Sequence, residues 1–434
     1  MKGLSRFRGI AIDTRPLRES PVFRRLWIGQ TISMLGSGVT MVAVPYQLYQ
    51  LTHSTLLLGL LGLCNLLPLL VAPLVGGAIA DAVDRRRLIL WSEIALVGTS
   101  VLFAVNASLP HPQVWALFAL ETVATLFGGF GWPALRSALP RLVPADQITA
   151  AMALQSVQGN LSHVAGPALG GVLIAGIGLT GTYIVDAVSF GASILAVVAM
   201  PRLAPPEGTE RASLATLAEG FRFVRTQKAM LGIFLLDTNA MIFGMPRALF
   251  PAIALQRLGG DAAILGLLYG APYVGALGAT LLSGWLHRVR RMGIGVAVSA
   301  AAWGFAVIWF GLCASLWPAL VALAFAGAAD MVSAVLRSTM VIDVTPDAMR
   351  GRVAGIELMQ VASAPALGDL EAGGLASATS IRFSVVSGGV ACIVGSGLIL
   401  LALPKLWRYD AVAARAARSV AAGSRGLSRP PRPA

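Results

Sequence analysis

Several ionisable residues sit inside long apolar stretches of the sequence: Glu93, Glu121, Asp186, Asp237, Arg247, Asp330, Arg337, Asp369 and Glu371. Inserting Asp or Arg into hydrocarbon costs about 2.5–3.5 kcal/mol, so each is a functional candidate by default. A carboxyl group in that setting can take up and release a proton, meet a cationic ligand, or tie two helices together by a hydrogen bond. Asp237 lies about 10 Å deep in its stretch at 1.5 Å per residue, and Asp330 lies near the middle of its own. These two lead as proton or substrate groups, followed by Asp369 and Glu371, with Asp186 and Arg247 behind them. Asp369 and Glu371 are two apart, about 200° around a helix, and so are not expected to face one cavity. Arg337 follows Asp330 by two turns and is expected to snorkel to the nearer surface. For Glu93 and Glu121, a structural hydrogen bond or a position closer to an interface competes with a functional role.

Other chemistries find no residues to carry them. The sequence has no GxxxxGK[ST] loop, no HExxH pair and no clustered Cys/His ligands, so neither a metal nor an enzyme is expected. Cys64, Cys313 and Cys392 fall in apolar runs and read as small core residues. The net charge of +13 comes without a basic patch interleaved with aromatics, so a nucleic-acid partner is not expected. Met34, Met41, Trp27, Trp132, Tyr269 and Tyr273 read first as packing or interface residues and second as walls of an aromatic-tolerant pocket.

The elements that must position these groups follow from composition. With 56% hydrophobic and 12% charged residues over 434 positions, and a mean hydropathy of +0.76, the chain lacks the polar residues to cover a water-soluble surface. In a bilayer only helices and closed barrels satisfy the backbone, and long apolar runs select helices. Twelve spans are expected, at 26–51, 55–80, 88–109, 113–133, 148–176, 180–200, 230–255, 263–286, 293–313, 316–338, 353–377 and 384–404. Of the 33 Lys and Arg, all but Arg247, Arg257 and Arg382 fall in segments assigned to one side. By the positive-inside rule that side is the cytoplasm, and both termini lie there. The first span follows a basic leader and is too long for a cleaved signal, so it is expected to stay as an anchor.

The domain plan is a leader (1–25), six spans (26–200), a linker (201–229), six more spans (230–404) and an Arg- and Pro-rich tail expected to be disordered (405–434). Within the linker, Leu214, Leu217, Ala218, Phe221 and Val224 follow helical spacing, with Glu219, Arg222 and Arg225 opposite. That pattern suits a helix lying on the membrane surface. The halves answer one another about two hundred residues apart. LRS at 135–137 returns at 336–338 and PALG at 167–170 returns at 365–368. Helix order and direction are kept, so the halves read as parallel six-helix repeats, an arrangement that puts a substrate site between them near the midplane.

Residues 76–87, GGAIADAVDRRR, read as a short loop between the second and third spans. The loop resembles the signature of the major facilitator superfamily: Gly77, Asp81 four residues later, then Asp84, Arg85 and Arg86, with Asp84 where glycine is usual. The resemblance extends over nearly the whole chain. It implies that Asp81 steadies one gate state by facing a helix N-terminus, an interaction worth about 0.3–1 kcal/mol and so breakable in every cycle. Gly166, Pro167, Gly170 and Gly171 in the fifth span are similar to the core of that superfamily's antiporter motif, which implies proton-coupled export. SPVFRRLW at 20–27, AVPYQLYQLTHST at 43–55, EGFRFVR at 219–225 and TPDAMRGRVAG at 345–355 resemble the enterobactin-exporting branch. This likeness implies efflux of a siderophore or another bulky amphipathic metabolite across a bacterial inner membrane, by a monomer using the proton gradient and no cofactor. A broad-specificity drug pump, or a sensor or scaffold that keeps the fold without transporting, are the rival readings.

Overall fold

The computed structural model describes residues 13–201 and 214–410, which hold helices and no strand. Residues 1–12 of the leader, most of the Pro-rich linker turn and the tail beyond 410 lie outside the described residues, as do the side chains of Gly77, Asp81, Trp132, Leu214 and Leu217. The first helices are α1 (Pro21–Thr52), α2 (Thr55–Ala82), α3 (Arg85–Ser108), α4 (Val114–Ala138) and α5 (Ile148–Val198). There follow α6 (Leu214–Thr226), α7 (Lys228–Phe243), α8 (Phe250–Arg257), α9 (Ala262–Leu281) and α10 (Met292–Leu312). The last are α11 (Leu316–Val344), α12 (Arg350–Ala378) and α13 (Ile381–Ala402). Polar residues start several of them. Ser20, Ser54, Asp84, Asp261 and Ser380 each accept a backbone N–H of the first turn through the side chain, a cap worth about 1 kcal/mol.

Among the described residues, ten helical stretches are long and apolar enough to cross a membrane. Large apolar side chains point away from the bundle, with Leu401 and Leu281 79% exposed and Trp317 75% exposed. Water would penalise that surface at about 25 cal/mol per Å²; lipid does not. The chain is a multi-pass membrane protein.

The stretches expected at 148–176 and 180–200 are two helices, the limbs of α5, which meet at Gly178 with φ 71°, a left-handed conformation that glycine adopts without a Cβ penalty. The element folds back there. A Cβ on Gly38 would stand 2.8 Å from the Gly166 Cα, while Gly36 meets Ser189. Residues 166 and 189 would be about 35 Å apart in a straight helix, yet both touch the same turn of α1. A departure from the expected spans is the stretch at 230–255. Here α7 ends at Phe243, a 3₁₀ turn covers Pro246–Leu249, and α8 resumes. Pro246 and Pro251 lack the N–H groups that a continuous helix would use, and the indole of Trp303 donates to the freed Gly244 carbonyl at 2.5 Å.

Helices α1–α5 pack chiefly among themselves, as do α7–α13. The main contacts between the two groups are α2 with α12 and α5 with α9, both at the end of the bundle remote from the termini. They are lined by small residues. A Cβ on Gly59 would lie 2.6 Å from the Asp369 carbonyl oxygen, and one on Gly171 would lie 2.6 Å from that of Ala262. Small residues let backbones approach where lipid supplies no hydrophobic drive. The antiporter-like residues therefore sit between helices: Gly166 and Gly170 on α1, and Pro167 and Gly171 on α9.

The linker helix α6 docks on protein. Val224 is buried, Gly220 packs on the Arg352 carbonyl, and Glu219 pairs with Arg352 at 2.7 Å. Phe221, expected on the apolar face, is 55% exposed.

Candidate functional site

The break between α7 and α8 turns Arg247 toward α12. Its guanidinium reaches Asp369 at 3.1 Å, and the backbone N–H of Ala248 donates to the other carboxylate oxygen at 3.2 Å. Asp369 is buried, whereas 40% of the Arg247 side chain is accessible. The Tyr269 hydroxyl donates to the Arg247 carbonyl at 3.5 Å. The Asp369 Cβ rests on Gly62 of α2, 2.7 Å from where a Cβ there would stand. The ion pair thus lies at the α2–α12 seam. Two further contacts join the helix groups: Gln256 donates to the Tyr49 hydroxyl at the same end, and His163 stacks on Tyr273 at 4.8 Å between ring centroids nearer the middle of α5 and α9. Glu371, two residues from Asp369, is half-buried and away from this pair, as the helical spacing requires.

A second ion pair lies within the α7–α13 group. Asp237 on α7 meets Arg337 on α11, and its other oxygen accepts from Gln360 of α12 at 2.8 Å. Gln360 also donates to the Phe234 carbonyl at 3.0 Å. The expectation that Arg337 snorkels outward is corrected: its side chain is 11% accessible and Asp237 holds it inside. A buried carboxylate outcompetes the surface because an unpaired guanidinium in that setting is far costlier than a paired one. Asp330 lines a cavity of about 50 Å³ with Asp237, Ser299, Trp303 and Ser333. The two residues ranked first from sequence therefore share one chamber.

The α1–α5 group holds a polar interior of its own. Asp186 accepts hydrogen bonds from Thr40 at 2.6 Å and Ser100 at 2.7 Å, both on one oxygen. Glu93 likewise accepts from Gln30 at 2.9 Å and Ser193 at 2.7 Å on one oxygen. The second oxygen of each carboxyl is buried with no hydrogen-bond partner among the described residues. Glu93 lines a cavity of about 140 Å³ with Met34, and Asp186 and Glu121 line one of about 250 Å³ with Met41. The two cavities share Ser37, Leu96, Gly128 and Phe190 as walls. Sequence reasoning ranked Glu93 and Glu121 low. The signal for them was the helical stripe Gln30, Ser33, Ser37 and Thr40 on α1, which marks a polar face buried inside the group. Trp27, by contrast, is packing: its indole donates to the Leu154 carbonyl at 3.1 Å.

The segment at 76–87 is less of a loop than expected. Helix α2 continues to Ala82 and α3 begins at Arg85, leaving Val83 and Asp84 between them. Asp84 caps α3 by accepting the Arg86 N–H at 3.0 Å with φ −54°, so the turn needs no glycine there. Arg85 is buried, and Arg86 donates to the Val198 carbonyl at 2.6 Å, tying the start of α3 to the end of α5. A Cβ on Gly76 would stand 2.9 Å from the Phe130 Cα, so α2 and α4 cross closely beside the turn. Among the described residues no group of three or more His, Cys, Asp or Glu could hold a metal ion.

Comparison with known proteins fits this architecture. Residues 13–422 match the family model described as transmembrane secretion effector. The chain is 33% identical over 398 residues to the enterobactin exporter EntS of Citrobacter koseri, covering 91% of this chain and 94% of that one. It is 32% identical over 397 residues to the enterobactin exporter EntS of Shigella boydii, with the same coverage. Among solved structures, a bacterial homologue of the lysosomal transporter Spinster, inward-facing and occupied, superposes with a TM-score of 0.71 at 16% identity over 90% of this chain and 97% of that one. The nucleoside transporter NupG does so with a TM-score of 0.71 at 11% identity, over 89% and 99%.

Proposed function

Because the chain belongs to the transmembrane secretion effector family of the major facilitator superfamily, we propose that it is a secondary active exporter of an amphipathic small molecule of the siderophore class, driven by the proton gradient and working by alternating access. The observation that carries this reading is the pair of small-residue seams, α2–α12 and α5–α9, drawn together at one end of a bundle whose interior holds paired and half-satisfied carboxyl groups. A bundle sealed at one end is one state of an alternating-access cycle, and seams without side-chain interlock can part at small cost. In this reading the polypeptide crosses a bacterial cytoplasmic membrane twelve times. The two limbs of α5 make two of the crossings, and α12, too charged to stand out by hydropathy, makes another. The halves are parallel six-helix repeats, both termini are cytoplasmic, and the sealed end faces outward.

The protein's own residues would divide the work. Asp237 with Arg337, and Asp330 beside them, form the proton or substrate chamber of the second half, with Asp186, Glu121 and Glu93 their counterparts in the first. Arg247 and Asp369 brace the seam, and the turn from Gly77 and Asp81 to Arg86 acts at the cytoplasmic gate. No cofactor is required, and a monomer contains every part. The similarity to enterobactin exporters supports outward direction and a siderophore-like cargo.

Mass spectrometry of medium and cells from gene-deleted and parental strains under iron starvation tests this reading. A siderophore that disappears from the medium and accumulates inside the deletion strain is the expected result. Unchanged export would overturn the siderophore assignment and bring drug efflux forward. In vesicles, Asp330→Asn is expected to abolish proton-coupled transport with expression intact. Normal coupling would remove Asp330 from the mechanism, and absence of any substrate-dependent proton flux in the unmodified protein would favour a sensor or scaffold.

A further inference from the structure

Arg247, Arg257 and Arg382 are the basic residues that fall outside the cytoplasmic segments assigned from the sequence. Arg247 is matched by Asp369. The other two line one cavity. It is an open cleft of about 600 Å³ at the end of the bundle remote from the termini, where both groups of helices meet. The α1–α2 turn supplies His53 and Ser54, α8 supplies Arg257, and the α12–α13 turn supplies Ser377, Ser380 and Arg382. No carboxylate is among its lining residues.

Arg257 is built in rather than trailing in solvent. Its guanidinium donates to the carbonyls of Gly311 at 3.3 Å and Cys313 at 3.0 Å, which fixes its charge against the end of α10. These carbonyls satisfy its N–H groups without neutralising it. Arg382 is exposed and has no ion-pair partner among the described residues. Helices α2 and α13 both begin at this cavity, capped by the lining residues Ser54 and Ser380. Each helix start adds the equivalent of about half a positive charge, but α1, α8 and α12 end beside the same space with the opposite sign, so its excess positive charge is that of the two arginines. Two guanidinium groups therefore border a volume large enough for a small polyvalent solute, with hydroxyl donors between them and no carboxylate among the lining residues.

We propose that this vestibule is a binding site for a soluble small-molecule oxyanion, a polycarboxylate or an inorganic oxyanion, approaching from the side remote from the termini. Its walls come from both helix groups, so parting the α2–α12 seam dismantles it. A ligand shifts a conformational equilibrium only through its different affinity for the two states, and here the site is complete in one of them. Oxyanion binding therefore holds the remote end shut. The site is separate from the interior chambers of Asp186 and Asp237, and its existence does not depend on the cargo or the coupling ion proposed above.

The test uses the full-length protein in nanodiscs of zwitterionic lipid, with citrate as the probe and glycerol as the uncharged control. Citrate is expected to bind by calorimetry and to raise the thermal unfolding midpoint, while glycerol does neither. Arg382→Glu is expected to weaken citrate binding at least tenfold, and Arg382→Gln to weaken it less. Arg18→Glu, which removes an exposed charge on the opposite face, is expected to leave binding unchanged. Size-exclusion elution of each variant at the position of the unmodified protein establishes that it is folded. Absence of citrate binding to the unmodified protein overturns the proposal, as does equal weakening by Arg18→Glu and Arg382→Glu.

Discussion

At the scale of single residues, the interior is organised by what each carboxyl group has found to bind. Asp237 has a donor on each oxygen, one from each of two neighbouring helices, whereas Asp186 and Glu93 each leave one oxygen bare. The first kind of site is expensive to break. Removing one partner of a buried pair costs about 3–5 kcal/mol, because the other charge is left uncompensated, while replacing both can be neutral. Asp237→Asn is therefore expected to lower the thermal midpoint of the detergent-solubilised protein sharply, and the double change Asp237→Asn with Arg337→Gln to recover a large part of the loss. A double variant no more stable than the single one would mean that Arg337 has no need of the charge. The pairing was out of reach of the sequence. Asp237 and Arg337 are a hundred positions apart, and a rule that sends arginine to the nearer surface holds only where no buried carboxylate competes. Asp369 was legible as a buried acid, but its partner Arg247 was not, since that contact exists because two prolines break the helix between α7 and α8.

At the scale of elements, the hydropathy and charge pattern carried most of the information. Apolar runs of bilayer length and polar caps at their starts mark the helices, because both effects are local. The sequence was misleading where a local rule met a tertiary one. One expected span appears as α7 and α8 because of Pro246 and Pro251, whereas the two limbs of α5 were legible as separate stretches on either side of Gly178. The seams rest on glycine in a way that can be measured. At Gly59 any Cβ would meet backbone atoms of Asp369 and Leu370, which cannot step aside as a flexible side chain could. Overpacking of this kind costs about 1–3 kcal/mol, equivalent to about a five- to 150-fold shift in an equilibrium, and it falls on the sealed arrangement alone. Gly59→Val is expected to reduce substrate export at least tenfold with the protein still present in the membrane. Export within twofold of the unmodified protein would show that the α2–α12 seam need not close so tightly.

At the scale of the whole molecule, orientation links the charge distribution to the reading of the sealed end as outward. A single cysteine introduced by Ser377→Cys, with Cys64, Cys313 and Cys392 changed to serine, is expected to react with a membrane-impermeant maleimide added to intact spheroplasts. One introduced by Arg18→Cys is expected to react only after the membrane is opened. The reverse pattern would invert the topology and, with it, the side from which every site is reached. The hairpin at Gly178 bears on the cycle as a linkage in the mechanical sense. Its first limb carries Pro167 and Gly171 into the contact with α9, and its second carries Asp186 into the chamber beside α1 and α3. With a short join at Gly178 between the limbs, a displacement of the first limb at the seam is expected to pull on the second limb and its carboxyl group. In the proposed cycle, the limb that parts at the seam and the limb that bears the acid would then be coupled through that one glycine.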